Sequence, residues 1–112
     1  MNNYRYGWFA EFWMSLVLIL KGYRILARRY KTYLGEIDMI VKKKNVITIF
    51  EIKARRKGDL TTELVGKQQR TRIENAAKIF LAQNRVYVDY NILFGIILFR
   101  NIFKFEIFSE IG

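Results

Sequence analysis

Two short runs constrain this chain more than any other feature. They are Gly35-Glu36-Ile37-Asp38-Met39-Ile40-Val41 and Val46-Ile47-Thr48-Ile49-Phe50-Glu51-Ile52-Lys53-Ala54. Both are rich in Ile and Val and are bounded by Gly or charge, which predicts two neighbouring β-strands. The basic tip Lys42-Lys43-Lys44-Asn45, with its turn-forming Asn, joins them into a hairpin. Inside this apolar pair sit Asp38, Glu51 and Lys53. Charges are seldom placed mid-strand in a buried sheet unless they pair with one another or hold a metal.

Side chains alternate along a strand, so Glu51 and Lys53 share a face, with Ile47 and Ile49 behind them. A loop with an even number of residues places Asp38 opposite Glu51 or Ile49, on that same face. An odd loop or a bulge sends it to the other side. The even case converges two carboxylates and an ammonium. Two carboxylates can hold Mg²⁺ through hard oxygen ligands, leaving waters and a substrate phosphate to complete the octahedron. A neighbouring lysine can orient or help deprotonate an attacking water and stabilise charge developing on phosphorus.

Composition removes most competing chemistries. The 112 residues suit one domain, 1–112, and 52% hydrophobic content is enough for a real core. There is no Cys and no His, so disulfides, thiolate metal sites, His-ligated zinc and Ser-His triads are all excluded. Catalysis would have to run on carboxylates, Lys, Tyr, Ser/Thr or a hard metal. The net charge of +10 points to a polyanionic partner, nucleic acid before an anionic membrane. From Lys21 to Lys57 the only acids are Glu36, Asp38 and Glu51, set in an otherwise basic segment. Such a segment can attract phosphates and still hold a cation.

The remaining elements follow from periodicity. Tyr4 to Lys21 predicts an apolar helix stopped at Gly22, and Glu11 stands in it as a lone acid. The uninterrupted apolar part after Glu11 is shorter than the ~20 residues a membrane span needs. No small-x-small cleavage site follows it, so a core helix of a cytoplasmic protein is expected. Glu11 reads either as part of a solvated stripe with Ser15 or as a helix-borne acid reaching the metal site. Tyr23 to Thr32 predicts a first strand with a basic edge. Arg55, Arg56 and Lys57 form a basic loop just beyond the proposed site, where a phosphate backbone would pass. Thr61 to Asn84 predicts a second helix with a Thr N-cap, Glu63–Lys67 and Glu74–Lys78 pairs, and a polar, basic first half containing Lys67 and Arg70. Asn91–Arg100 and Ile102–Ser109 predict two further strands turning at Asn101.

The arrangement Gly35-Glu36-Ile37-Asp38, Phe50-Glu51-Ile52-Lys53-Ala54-Arg55 and Lys67-Gln68 opening a helix resembles the YraN-like family of small bacterial proteins. That family is placed among the PD-(D/E)XK, or restriction-endonuclease-like, nucleases. The likeness runs from Gly7 and Glu11 through Gly22-Tyr23 to the strand near Ile97. It implies an α/β fold with an α-β-β-β-α-β core and a mixed central sheet flanked by two helices. It also implies Mg²⁺ or Mn²⁺ held by Asp38 and Glu51, Lys53 assisting hydrolysis, Glu11 as a further acid near the metal, and Gln68 close to the site. The chain departs from the pattern where many relatives carry Arg-Phe-Asp and it reads Leu93-Phe94-Gly95.

The leading expectation is a metal-dependent endonuclease acting on DNA, with Arg55, Arg56, Lys57, Lys67 and Arg70 on the nucleic acid. Cutting both strands of a duplex would suit a homodimer. The alternative is a nucleic-acid-binding module of the same fold with a degenerate site. A peripheral membrane protein ranks last, because it gives the acids between the strands no purpose.

Overall fold

A computed structural model describes residues 3–56 and 66–110. The element order is α1 (Asn3–Leu20), β1 (Arg24–Lys31), β2 (Glu36–Lys43), β3 (Val46–Ala54), α2 (Lys67–Gln83), a 3₁₀ turn (Arg85–Tyr87), β4 (Asn91–Asn101) and β5 (Lys104–Glu110). The strands form one sheet in the order β1-β2-β3-β4-β5. All neighbours are antiparallel except β3 and β4, which run parallel. A parallel pair needs a crossover, and α2 supplies it. The expected mixed sheet between two helices is therefore present, with β5 added beyond the six-element core.

Each helix covers one face of the sheet. Tyr6, Ala10, Met14 and Leu18, four apart along α1, are buried against Met39, Val41, Phe50, Ile97 and Phe99. Ile73, Ala76, Ala77 and Phe80 of α2 bury against Ile37, Ile40, Ile47 and Ile49 on the other face. The outer side of α1 stays apolar too, with Trp8, Phe12, Leu16 and Ile19 exposed. No helix among the described residues is long and apolar enough to cross a membrane. The helix α1 stops where expected: Gly22 takes φ 96°, and the Gly22 and Tyr23 amides donate back to the Ile19 and Leu18 carbonyls.

The second helix differs from expectation. It begins at Lys67, because Gly66 is extended (φ −69°, ψ 162°) and caps it without a side-chain hydrogen bond. Thr61 and Glu63 lie outside the described residues. Glu74 pairs back to Arg70 at 3.2 Å, one turn earlier in the helix. The 3₁₀ turn that closes α2 had no sequence signal.

Gly35 fixes how the β1–β2 loop meets α2. A Cβ built there would lie 2.6 Å from the Arg72 carbonyl oxygen, a backbone atom that cannot swing aside. Gly35→Ala is therefore expected to destabilise the fold by roughly 1–3 kcal/mol, the usual cost of overpacking. Chemical denaturation checks this, and an unchanged midpoint would contradict it.

Candidate metal centre

The loop between β2 and β3 is Lys44-Asn45, an even number of residues, with Lys44 at φ 56°. The resulting register pairs Met39 with Phe50 and Ile40 with Ile49, so the next step along both strands brings Asp38 beside Glu51, and their carboxyls share a hydrogen bond. The ladder ends at Met39 and Phe50. Beyond it, the Ile52 amide donates to the Asp38 carboxylate at 2.7 Å. A side chain thus takes over a backbone bond, and the two strands part there. Lys53 lies on the Glu51 face, its Nζ 3.8 Å from Glu51 Oε1, and both side chains are mostly buried.

A backbone irregularity in β1 accompanies this opening. Arg29 has φ 52°, rare for a side chain other than glycine. Its neighbours Arg28 and Tyr30 pair with Met39 and Ile37, so Arg29 stands opposite Asp38. Alternation also breaks on β2: Ile37 and Ile40 both join the α2-side core, while Met39 and Val41 join the α1 side. The kink sets Asp38 between the two faces of the sheet. It also lets Arg29 reach up to α1, where its Nε donates to Glu11 Oε2 at 2.7 Å.

Electrostatics mark the acid pair. Burial pushes Glu51 up to about 8, helped by the neighbouring Asp38 charge and opposed by Lys53 and by a hydrogen bond from Gln69. Asp38 is raised as well, chiefly by burial, against the stabilising Ile52 amide. Two largely buried carboxylates facing each other favour a shared proton or a shared cation. Without metal, the sign of the linkage follows from these raised values. The contribution of Glu51 to stability is full below its unfolded value of 4.5 and is lost as pH rises towards about 8. Thermal melts in EDTA should therefore show stability falling over that window, and a divalent cation should restore it progressively more as pH rises. Equal cation effects at pH 5 and pH 8 would contradict this.

Other expected residues gather unevenly. An open cleft of about 850 Å³ on the α1 side is lined by Tyr6, Gly7, Glu11, Arg29, Asp38, Glu51, Arg55 and Arg56, among others. Glu11 thus belongs to the cleft and not to a solvated stripe, since Ser15 is buried and Glu11 is tied to Arg29. Burial raises the Glu11 carboxyl, while Arg29 pulls it back. Arg56 lies over the Tyr6 ring at 4.9 Å, and Arg55 donates to the Ala54 carbonyl. Lys67 is exposed at the start of α2. Arg70 sits over the Phe94 ring, on the α2 side. Lys57 lies outside the described residues.

The glutamine assignment needs correction. Gln68 is exposed, and it is Gln69 whose Nε2 donates to Glu51 Oε1 at 2.9 Å. Helix phase explains the difference. Residue 69 precedes Ile73 by one turn and shares the sheet-facing side with Ala76, Ala77 and Phe80, whereas 68 is turned about 100° away. The spacing of those apolar residues was the signal that could have found Gln69.

The donor set fits a hard cation. Asp38 and Glu51 offer carboxylate oxygens only, and among the described residues no three acids converge into a fuller cage. One or two carboxylates, with water and substrate oxygens completing the shell, is the usual protein share for Mg²⁺. Asp38 and Glu51 would hold the ion, and Gln69 would fix the Glu51 carboxylate.

This sheet and its acid pair define an α/β protein with two carboxylates in an open cleft that Arg29, Arg55 and Arg56 also line. The family model described as "Uncharacterised protein family UPF0102" matches residues 10–99, and the chain belongs to that family. A UPF0102 protein of Agrobacterium fabrum is 46% identical over 93 residues, covering 83% of this chain and 76% of the relative. One from Parvibaculum lavamentivorans is 40% identical over 95 residues (85% and 71%). One from Mesorhizobium japonicum is 39% identical over 94 residues (84% and 75%).

Proposed function

We propose that this protein is a metal-dependent endonuclease of the PD-(D/E)XK type that hydrolyses DNA phosphodiester bonds. The observation that carries the reading is Asp38 set opposite Glu51 where β2 and β3 part, with Lys53 on the Glu51 face. A structural ion pair would match one acid to one base. Here two acids are buried together, at a cost that a divalent cation would offset.

Each residue has a derivable task. Asp38 and Glu51 would hold the cation, which would acidify water and neutralise charge on the phosphate. The Ile52 amide and Gln69 hold the two carboxylates in place. The Lys53 ammonium donates to the attacking water or to a phosphate oxygen, stabilising charge that grows as water's oxygen bonds to phosphorus and the P–O bond to the leaving sugar oxygen, which takes up a proton, breaks. Arg55 and Arg56, on the cleft wall, receive flanking phosphates.

A second reading rests on one observation. The chain reads Leu93-Phe94-Gly95 where the resemblance to the YraN-like family implies a charged Arg-Phe-Asp triplet. A Cβ at Gly95 would lie 2.5 Å from both the Phe108 carbonyl oxygen and the Phe50 ring. An acid cannot be restored there without repacking, so a binding module with no cleavage is the competing function.

A cleavage assay in Mg²⁺ and Mn²⁺ on duplex, flap, junction and single-stranded DNA separates the two. The nuclease reading predicts cutting of at least one substrate that EDTA stops. Salt-sensitive binding to the panel without cutting would favour the second reading. For either one, raising salt from 50 to 200 mM should weaken binding at least tenfold, because several phosphates would be neutralised.

A further inference from the structure

The α1 wall of the cleft carries two features that folding alone does not explain. Tyr6 is buried to 8% exposure, its ring packed near Phe99, yet its hydroxyl has no hydrogen-bond partner among the described residues. A buried hydroxyl left unpaired is costly. The next residue, Gly7, lies inside α1, where glycine is the weakest helix former after proline. A Cβ built on Gly7 meets nothing within 4 Å, so no neighbour among the described residues requires its absence. Both residues line the same cleft as Asp38 and Glu51.

We infer that Tyr6 and Gly7 form a subsite for the sugar-phosphate backbone of a nucleic-acid strand, one step along the cleft from the acid pair. The bare backbone at Gly7 lets the strand lie close against α1. The Tyr6 hydroxyl donates to a phosphate or sugar oxygen. The Arg56 guanidinium, resting over the Tyr6 ring, moves onto that phosphate and uncovers the hydroxyl as it leaves. The ligand class is a polynucleotide strand, and the subsite rests on the nuclease or DNA-binding reading given above. It adds to that reading a strand path running along α1, which the basic loop alone would not select.

The test exploits an opposition between stability and binding. Tyr6→Phe keeps the packed ring and deletes only the unpaired hydroxyl. Gly7→Ala adds a methyl to open space and a better helix former. Each variant should melt about 4 °C higher than wild type. Each should also bind labelled DNA, measured by anisotropy in EDTA, about tenfold more weakly. A role confined to packing would move the melting point without moving affinity. If wild type binds DNA and both variants bind equally well, the subsite is wrong while the parent reading stands. If Tyr6→Phe melts lower than wild type, the hydroxyl has a structural partner and the inference fails. If wild type binds no member of the panel, the parent reading falls and takes the subsite with it.

Discussion

Asp38→Asn is expected to lower Mg²⁺-dependent cleavage by about 10³-fold or more while leaving the fold and DNA binding nearly intact. Asparagine is the informative choice because its side-chain oxygen can still accept the Ile52 amide. Alanine would leave that amide unpaired and add roughly 1–3 kcal/mol of destabilisation, confusing a chemical loss with a structural one. With asparagine the change is one carboxylate charge at the cation. Single-turnover cleavage beside a melt of the same preparation checks this. Wild-type rates in the variant would remove Asp38 from the chemistry. Lys53→Ala should likewise lose cleavage and retain binding, since its ammonium is mostly buried beside Glu51.

Glu51→Gln should do the opposite to stability and the same to activity. In metal-free protein, burial and the neighbouring Asp38 push the Glu51 carboxyl up to about 8. Glutamine keeps the shape, can still accept from Gln69, and offers an N–H to Asp38 in place of the lost proton. The folded state should gain about 2–4 kcal/mol at pH 8, because the raised carboxyl no longer has to ionise inside the protein. The gain should shrink to little near pH 4.5, where the folded acid is protonated and the unfolded one is only half ionised. Denaturation at the two pH values in EDTA decides it. A variant less stable than wild type at pH 8 would mean that the acid pair is a structural ion cluster. A stabilised, inactive variant is the behaviour expected of a site kept for function at the expense of stability.

Much of this was legible in the chain because strands have a period of two. Once Lys44-Asn45 is the loop, parity sets the register down to Met39 and Phe50 and brings Lys53 to the Glu51 face, while the break in alternation on β2 adjusts where Asp38 lies. The helices α1 and α2 and the final strands follow equally from apolar spacing and the Asn101 turn. What escaped sequence reading depends on contacts between elements. Gln69 replaces Gln68 because the rotation of α2 is set by Ile73 and Phe80 against the sheet, and its docking by the bare backbone of Gly35. The left-handed Arg29 could not be foreseen, since Arg has no special preference for that conformation and the kink arises where β1 passes Asp38. Glu11 had two readings until its partner was known, and that partner is eighteen residues away on another element.

The central claim is that Asp38 and Glu51 together hold one divalent cation. Calorimetric titration of the metal-free protein with Mn²⁺ at pH 7, repeated in buffers of different ionisation enthalpy, tests it most directly. The account predicts uptake of a single ion per chain with release of a proton from the acid pair, and loss of that uptake in Asp38→Asn. Absence of binding in the wild type, or equal binding in the variant, would contradict it.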